Sequence, residues 1–179
     1  MRDEGFPTIN FDEKYGDEAR ANPELRKALD LLAGAESAHR GGDIGQAIEL
    51  YKNSIAYHPT SDAHTYLGWM YSKQGRLEEA IEECHLAIEV DPDFGNPYND
   101  IGCHLMQLGE LEQAIGWFEK AKKAPRYEPR HFPYLNLARI YLKRGEHGKA
   151  AGEVLGALRR DPGDRALKRR LLNLLALLN

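Results

Sequence analysis

The sequence predicts an all-α fold, a solenoid of four helix-turn-helix units followed by a C-terminal capping helix. Three observations lead to this prediction: a ten-residue segment recurs four times, apolar residues recur at helical spacing, and a proline lies near the end of each unit. Because a single helical hairpin cannot bury its apolar face alone, the four units are expected to stack on one another.

The recurring segment begins with a glycine and has an alanine five residues later. The glycines are Gly42, Gly75, Gly109 and Gly145, and the alanines are Ala47, Ala80, Ala114 and Ala150. Successive copies are therefore 33, 34 and 36 residues apart. A glycine between two patterns of helical period predicts the turn of an αα-hairpin.

A second pattern precedes each glycine and places a small residue after a large apolar one. It is clearest in Leu67-Gly68, Ile101-Gly102 and Leu137-Ala138. Glycine in an isolated helix costs about 1 kcal/mol relative to alanine, so its recurrence at one register predicts close helix packing. Helix starts are predicted at Ser61-Asp62, at Asn96 before Pro97 and at Pro133.

Together these positions resemble the tetratricopeptide repeat family, from about Ala28 to Asp164. The resemblance implies a right-handed superhelix over 23–164, with units at about 28–60, 61–94, 95–130 and 131–164. It also implies protein–protein interaction through a concave groove lined by the first helix of each unit. The family's ligand-contact positions correspond here to Asp62, Thr65, Tyr66, Trp69, Lys73, Asn96, Asn99, Asp100, Cys103, Met106, Phe132, Leu135, Asn136, Arg139, Leu142 and Lys143.

This set of groove residues suits an extended peptide or a helix. The amides of Asn99 and Asn136 are expected to bond a peptide backbone, since each offers a donor and an acceptor. Aromatic residues are enriched at binding hot spots, so apolar anchors are expected at Tyr66, Trp69, Met106 and Phe132. The alternative for Trp69 and Met106 is packing between helices.

One family subtype clamps the terminal carboxylate of chaperone peptides with lysine and asparagine. This sequence departs from that pattern, with Leu32 and Glu36 in the first unit and Asn99 and Asp100 in the third. A chaperone-tail receptor is therefore not expected. Arg139 and Lys143, one turn apart, are a candidate site for an acidic ligand side chain.

Both ends lie outside the repeats. Residues 1–22 are polar, acidic and irregular, and are expected to be flexible. A short linear motif is predicted there, with the apolar residues Phe6, Ile9, Phe11 and Tyr15. This motif is expected to lie in the groove of its own or a neighbouring molecule. Residues 165–179 are expected to form the capping helix. Its leucines either only cap the fourth unit or also join two copies as a homodimer, and the candidate contact residues are Leu171, Leu174, Leu175 and Leu178.

The composition excludes several functional classes. The formal net charge is −4, so neither nucleic acid nor a membrane surface is expected as a partner. The N-terminus has no apolar stretch typical of a targeting signal, and no apolar run has the length of a membrane span. Two cysteines, Cys84 and Cys103, provide no disulfide framework, so we expect a cytoplasmic protein.

No pattern of catalytic or cofactor-binding residues is present. The seven histidines make no metal-ligand spacing, and the chain lacks a nucleophile elbow and a phosphate-binding loop. We therefore expect no metal, no cofactor and no enzymatic activity. The leading hypothesis is a protein-binding adaptor or scaffold. The alternatives are a structural protein that assembles through its C-terminal helix, and a chaperone or regulatory partner of another protein.

Overall fold

The structure, a computed structural model, describes residues 11–177, and within that range the chain forms ten helices. They are α1 (Phe11–Ala21), α2 (Pro23–Arg40), α3 (Ile44–Tyr57), α4 (Ser61–Lys73), α5 (Leu77–Val90), α6 (Asn96–Leu108), α7 (Leu111–Lys123), α8 (Phe132–Lys143), α9 (His147–Arg160) and α10 (Arg165–Ala176). In the same range, β structure is limited to one isolated bridge between Phe94 and Arg126.

The helices pack as consecutive pairs: α2 with α3, α4 with α5, α6 with α7, and α8 with α9. Each second helix also contacts the first helix of the next pair, and the first helices α4, α6 and α8 contact one another in order. First helices therefore share one side of the stack, and α10 packs on α9 at its end. The predicted all-α solenoid is confirmed.

The repeated glycines form the turns between paired helices. Gly42, Gly75, Gly109 and Gly145 have φ of +82°, +77°, +85° and +72°. Residues with a Cβ rarely adopt this left-handed conformation, which explains why glycine recurs there. The residue after each glycine donates its backbone N–H back to the first helix, as in the 3.0 Å bond from Arg76 N to Tyr71 O.

Two helices have their N-cap one residue before the predicted position, and only one of these two caps is a side-chain cap. Thr60 caps α4 by accepting a bond from Ala63 N at 3.2 Å, where Ser61-Asp62 was predicted. Gly95, instead of Asn96, is the N-cap of α6. Pro97 and Pro133 lie in the first turns of α6 and α8, where a missing N–H costs no helical hydrogen bond.

The connection between α7 and α8 accounts for the longest repeat step. It folds back on the preceding connection, where Gly95 N donates to Arg126 O at 2.7 Å and Arg126 N donates to Asp93 O at 3.1 Å. The Arg126 guanidinium also pairs with Asp91. Tyr127 is buried against Gly95, and a Cβ on that glycine would lie only 2.4 Å from Tyr127 Cβ.

Residues 11–21 differ from the expectation of an irregular N-terminal segment, because they form α1. Tyr15 and Ala19 are half-buried and pack against the first core cluster, which gives this polar helix an apolar contact. The expected flexibility of the segment stays a prediction. Phe6 and Ile9 of the proposed motif lie outside the described residues.

The leucines of α10 divide between two faces. Leu174 is buried and Leu171 is half-buried against Val154 and its neighbours, so both pack within the chain, and their predicted role in self-association stays a prediction. Leu175 is exposed as expected, together with Leu172, which sequence reasoning missed. Leu178 lies outside the described residues. Among the helices that the structure describes, none is both long and apolar enough to cross a bilayer.

Candidate functional site

The candidate site is the face that the first helices α4, α6 and α8 share, where the repeat register predicts a groove. The predicted contact residues on these helices fall into three groups by exposure. Thr65, Tyr66, Asn99, Asp100 and Asn136 are buried, as is Asp62; Trp69, Asn96, Cys103, Met106, Phe132, Leu135 and Leu142 are half-buried; Lys73, Arg139 and Lys143 are exposed.

A chain of polar side chains crosses the floor of this groove. Trp69 Nε1 donates to Asp100 Oδ2 at 2.7 Å, and Asn99 Nδ2 donates to Asp100 Oδ1 at 3.4 Å. Asn136 Nδ2 donates to Asn99 Oδ1 at 3.0 Å, and Arg139 Nη1 donates to Asn136 Oδ1 at 3.3 Å. Since these residues come from α4, α6 and α8, the polar chain links three consecutive units.

The polar chain changes how the two asparagines are interpreted. From the sequence, the amides of Asn99 and Asn136 were expected to be available for hydrogen bonds to a peptide backbone. Their amides bond each other in the structure, and their exposed fractions are only 8% and 7%. Binding a peptide through them would require an exchange of existing hydrogen bonds. The exposed Arg139 at the end of the chain is the more accessible contact.

Trp69 and Met106 are partly exposed on the groove face and also pack between helices, so both of the alternatives considered for them apply in part. Each is half-buried and packs against a core cluster, Trp69 against the cluster of α2 to α5 and Met106 against the cluster of α5 to α8. Thr65 is buried, and its hydroxyl donates to Ser61 O at 2.6 Å within α4. Its hydroxyl therefore satisfies a local backbone acceptor.

Negative charge is concentrated where the groove begins. Burial raises the pKa of the Tyr66 hydroxyl above its usual value. Nearby carboxylates raise this pKa further because they disfavour a second negative charge; they are those of Asp62, Glu36 and Asp100. Burial also raises the pKa of Asp100 to about 7, and the hydrogen bonds from Trp69 and Asn99 partly oppose that rise. We call the region around these three carboxylates the acidic end of the groove.

Two buried polar atoms at the acidic end have no hydrogen-bond partner among the described residues. They are Glu36 Oε1 and the hydroxyl of Tyr51. The exposed fractions of these residues are 7% and 0%. Buried polar groups are ordinarily hydrogen-bonded. These atoms therefore leave hydrogen-bonding capacity at the acidic end unused.

Helix α1 supplies a cation and a phenol to this acidic end. Lys14 Nζ forms a salt bridge with Asp62 Oδ2, and the Tyr15 hydroxyl donates a hydrogen bond to the same oxygen. Lys14 Nζ also lies 4.5 Å from the centroid of the Phe94 ring. The Asp62 side chain is only 3% exposed. Burial raises the pKa of Tyr15, and the charge of Asp62 adds to the rise.

The opposite end of the groove is basic. Arg139 and Lys143 are exposed one turn apart on α8. Burial lowers the pKa of Arg170 on α10, and the positive charge of nearby Arg139 lowers it further. The groove therefore has negative charge at its first units and positive charge at its last.

Neither cysteine shows the environment of a reactive thiol. Both are free, and Cys84 is fully buried. Burial raises the pKa of Cys84 well above its usual value and that of Cys103 to about 12. Cys103 Sγ accepts from Asn136 Nδ2 at 3.4 Å. Over residues 11–177, no group of three or more histidine, cysteine, aspartate or glutamate side chains is suitably placed for a metal ion.

The residues predicted from the sequence did not include Lys14, which pairs with Asp62, or Arg170, whose pKa the charge of Arg139 lowers. The repeat register contains a signal for Arg170, which follows Asn136 by 34 residues, one repeat length. No comparable signal exists for Lys14, because α1 precedes the repeats and only its tertiary position brings it to Asp62.

Comparison with known proteins matches this geometry to one family. Models described as "Tetratricopeptide repeat" match residues 61–94, 96–126 and 134–166, which together span more than half of the chain. A curated relative, small glutamine-rich tetratricopeptide repeat-containing protein 2 of Mycosarcoma maydis, is 30% identical over 101 residues. That match spans 56% of this chain and 29% of the relative. Matched curated relatives are generally much longer, with 13% to 37% of their lengths covered.

Two solved structures have the same fold. PilF of Pseudomonas aeruginosa has a TM-score of 0.75 at 20% identity, covering 85% of this chain and 69% of PilF. The second TPR of Spaghetti (RPAP3), bound to the HSP90 peptide SRMEEVD, has a TM-score of 0.55 at 24% identity, covering 59% of this chain and 98% of that one. Four turn glycines at one register, stacked helix pairs and three matching repeat models lead to one conclusion: the chain belongs to the tetratricopeptide repeat family.

Proposed function

We propose that this chain is a non-catalytic adaptor that holds a peptide or a helix of a partner protein along its concave groove. The observation that carries the proposal is the polar chain from Trp69 to Arg139, which runs along one face of three units and ends at the exposed guanidinium of Arg139. The repeats are a protein-interaction fold, and a related solved structure holds a peptide. The free thiols of Cys84 and Cys103 support a reducing, cytoplasmic setting.

The charges of the groove favour some peptides over others. The HSP90 peptide SRMEEVD in the related structure carries three acidic residues. In this chain Asp62 and Asp100 lie in the groove, and buried carboxylates repel an acidic segment. We therefore expect a ligand that places its positive charge near Asp62 and any negative charge near Arg139.

The adaptor proposal is tested with the double variant Asn99→Ala/Asn136→Ala. Removing both amides breaks the polar chain, and we expect capture of partners from a native cell extract to fall at least five-fold, the loss of about 1 kcal/mol of binding free energy. The measurement is affinity capture with quantitative mass spectrometry, with circular dichroism to show that helical content is retained.

The matched control is Asn53→Ala/Asn173→Ala, which makes the same chemical change at two exposed positions outside the polar chain. Capture by this control is expected to equal that of the wild type. Equal capture by all three proteins would contradict the adaptor proposal. Lost helical content in the Asn99/Asn136 variant would assign those residues a structural role, and Arg139→Glu then tests the groove through an exposed residue.

The second candidate function is self-association through α10. One observation favours it: Leu172 and Leu175 are 67% and 44% exposed on the same side of the helix. Adjacent exposed leucines are typical of a contact surface. This function is compatible with a groove that remains open to a partner.

A further inference from the structure

The acidic end of the groove already holds a segment of its own chain. Asp62 lies in the first turn of α4, and its side chain is nearly inaccessible to solvent. Burying a carboxylate is unfavourable unless it is paired. In the structure that pairing comes from Lys14 and Tyr15 of α1, which contact the same carboxylate oxygen.

Helix α1 has few other attachments. Asp17, Glu18 and Arg20 are exposed, so the outward face of the helix makes little contact with the repeats. A Cβ on Gly16 would have no neighbouring atom within 4 Å, so close packing does not explain this helix-weakening residue. A single residue, Asn22, separates α1 from α2. Release of α1 therefore requires a change at one hinge and the loss of the contacts that Tyr15 and Ala19 make with the first core cluster.

We propose that α1 is an internal ligand of the groove, and that the external partner carries a lysine or arginine beside an aromatic residue and displaces it. This inference rests on the adaptor function proposed above. Asp62 recognises the cation and the phenol, and the ring of Phe94 faces the cation.

The short connection gives α1 an advantage over any free peptide. Segments joined by short linkers have effective concentrations of about a millimolar. A partner at micromolar concentration therefore competes poorly while Lys14 and Tyr15 are docked, unless it makes additional contacts further along the groove. The basic end around Arg139 and Arg170 offers such contacts to an acidic part of the same partner.

The docking of α1 is tested by hydrogen exchange of the full chain. We expect Asp62→Asn to accelerate exchange of the α1 amides at least five-fold, because the carboxylate that holds Lys14 and Tyr15 is lost. Asp100→Asn is the matched control: it makes the same substitution at another carboxyl group of the acidic end, one that does not bond Lys14 or Tyr15. Exchange in this control is expected to change less than two-fold.

Three results of that experiment would overturn the docking. They are unchanged α1 exchange in Asp62→Asn, equal acceleration in both variants, and faster α1 exchange of the wild type after a roughly hundredfold dilution. The last result would mean that α1 docks between two copies, since only contacts between molecules depend on concentration.

The chemistry of the partner is tested with a fluorescent peptide that copies residues 11–21, added to the full chain. The receptor variant Lys14→Glu/Tyr15→Phe releases its own α1, so we expect it to bind the peptide at least five-fold more tightly than the wild type. A peptide carrying Lys14→Glu is expected to lose this binding. Equal binding by both receptors, or by both peptides, would overturn the proposal.

Failure of this inference is distinguishable from failure of the adaptor function. If the Asn99/Asn136 variant loses partner capture but release of α1 has no effect on peptide binding or capture, the internal ligand is wrong and the adaptor proposal stands. If neither the asparagine variant nor the released variant changes capture, the groove is not the binding site and both proposals are wrong.

Discussion

Gly102 and Ala138 occupy equivalent positions in consecutive repeats. The side chain that each one faces explains why the first is a glycine and the second an alanine. A Cβ on Gly102 would lie 2.6 Å from Phe118 Cε1, and Phe118 is fully buried. In the next unit Val154 takes the place of Phe118 and belongs to the same core cluster as Ala138. The smaller valine leaves space for the alanine methyl group, because protein cores are close-packed.

This pairing predicts coupled effects on stability. Gly102→Ala should lower the free energy of unfolding by about 1–2 kcal/mol, since overpacking outweighs the gain in helix propensity. Phe118→Val alone should cost about 3 kcal/mol through the cavity that it leaves. The double variant should be at least about 1 kcal/mol more stable than the sum of the two losses predicts. Urea unfolding followed by circular dichroism measures all three.

Gly152→Ala is the control for this cycle, because a Cβ there has no neighbour within 4 Å. It should raise stability by up to about 1 kcal/mol through helix propensity alone. Simple additivity of Gly102→Ala and Phe118→Val would show that contact with the phenylalanine ring is not what excludes a side chain at residue 102.

At the scale of one element, α6 buries a carboxylate and an imidazole one turn apart. Burial raises the pKa of Asp100 from 3.8 to about 7, and burial lowers the pKa of His104 from 6.5 to about 4. Between these values folded Asp100 binds more proton than unfolded Asp100, so its contribution to stability falls as pH rises from about 4 to about 7. His104 does the reverse, and its contribution grows from about pH 4 to about 6.5.

We predict that replacing one of the two residues reveals how that residue alone makes the stability depend on pH. The stability difference between wild type and Asp100→Asn should decrease with rising pH over about 4–7, by at most about 1.4 kcal/mol per pH unit. The difference between wild type and His104→Leu should increase with pH over about 4–6.5. Urea unfolding at a series of pH values gives both curves. A flat curve for His104→Leu would show that the ring is not held neutral by burial.

On the scale of the whole molecule, the outward leucines of α10 form the surface through which we propose self-association. Leu171 and Leu174 are occupied by packing on α9 and its neighbours, which leaves Leu172 and Leu175 for a second surface. Because each copy has one such surface, pairing through it produces a closed dimer.

If α10 mediates self-association, Leu172→Glu/Leu175→Glu should convert the dimer into a monomer. We expect light scattering at tens of micromolar protein to give twice the monomer mass for the wild type and the monomer mass for the variant. The matched control, Leu86→Glu/Leu155→Glu, changes two exposed leucines on second helices and should leave the dimer intact. A monomeric wild type at that concentration would exclude self-association as the function of α10.

Sequence alone predicted the repeats because their requirements are local. A turn with positive φ favours glycine, and helices in close contact require small side chains, so both leave a residue signature at a regular interval. Gly75 and Gly109 show the first requirement and Gly102 the second. The candidate groove positions were predicted from the same register, and all of them lie on α4, α6 and α8.

Only the tertiary structure determined what these residues contact. Asn99 and Asn136 bond each other because two helices place them 3.0 Å apart, a distance that no sequence spacing specifies. Lys14 reaches Asp62, 48 residues away, through the path of α1 over the groove. Contacts of this kind depend on how stacked units are oriented in three dimensions, whereas residue type and spacing encode only the conformation and packing within each unit.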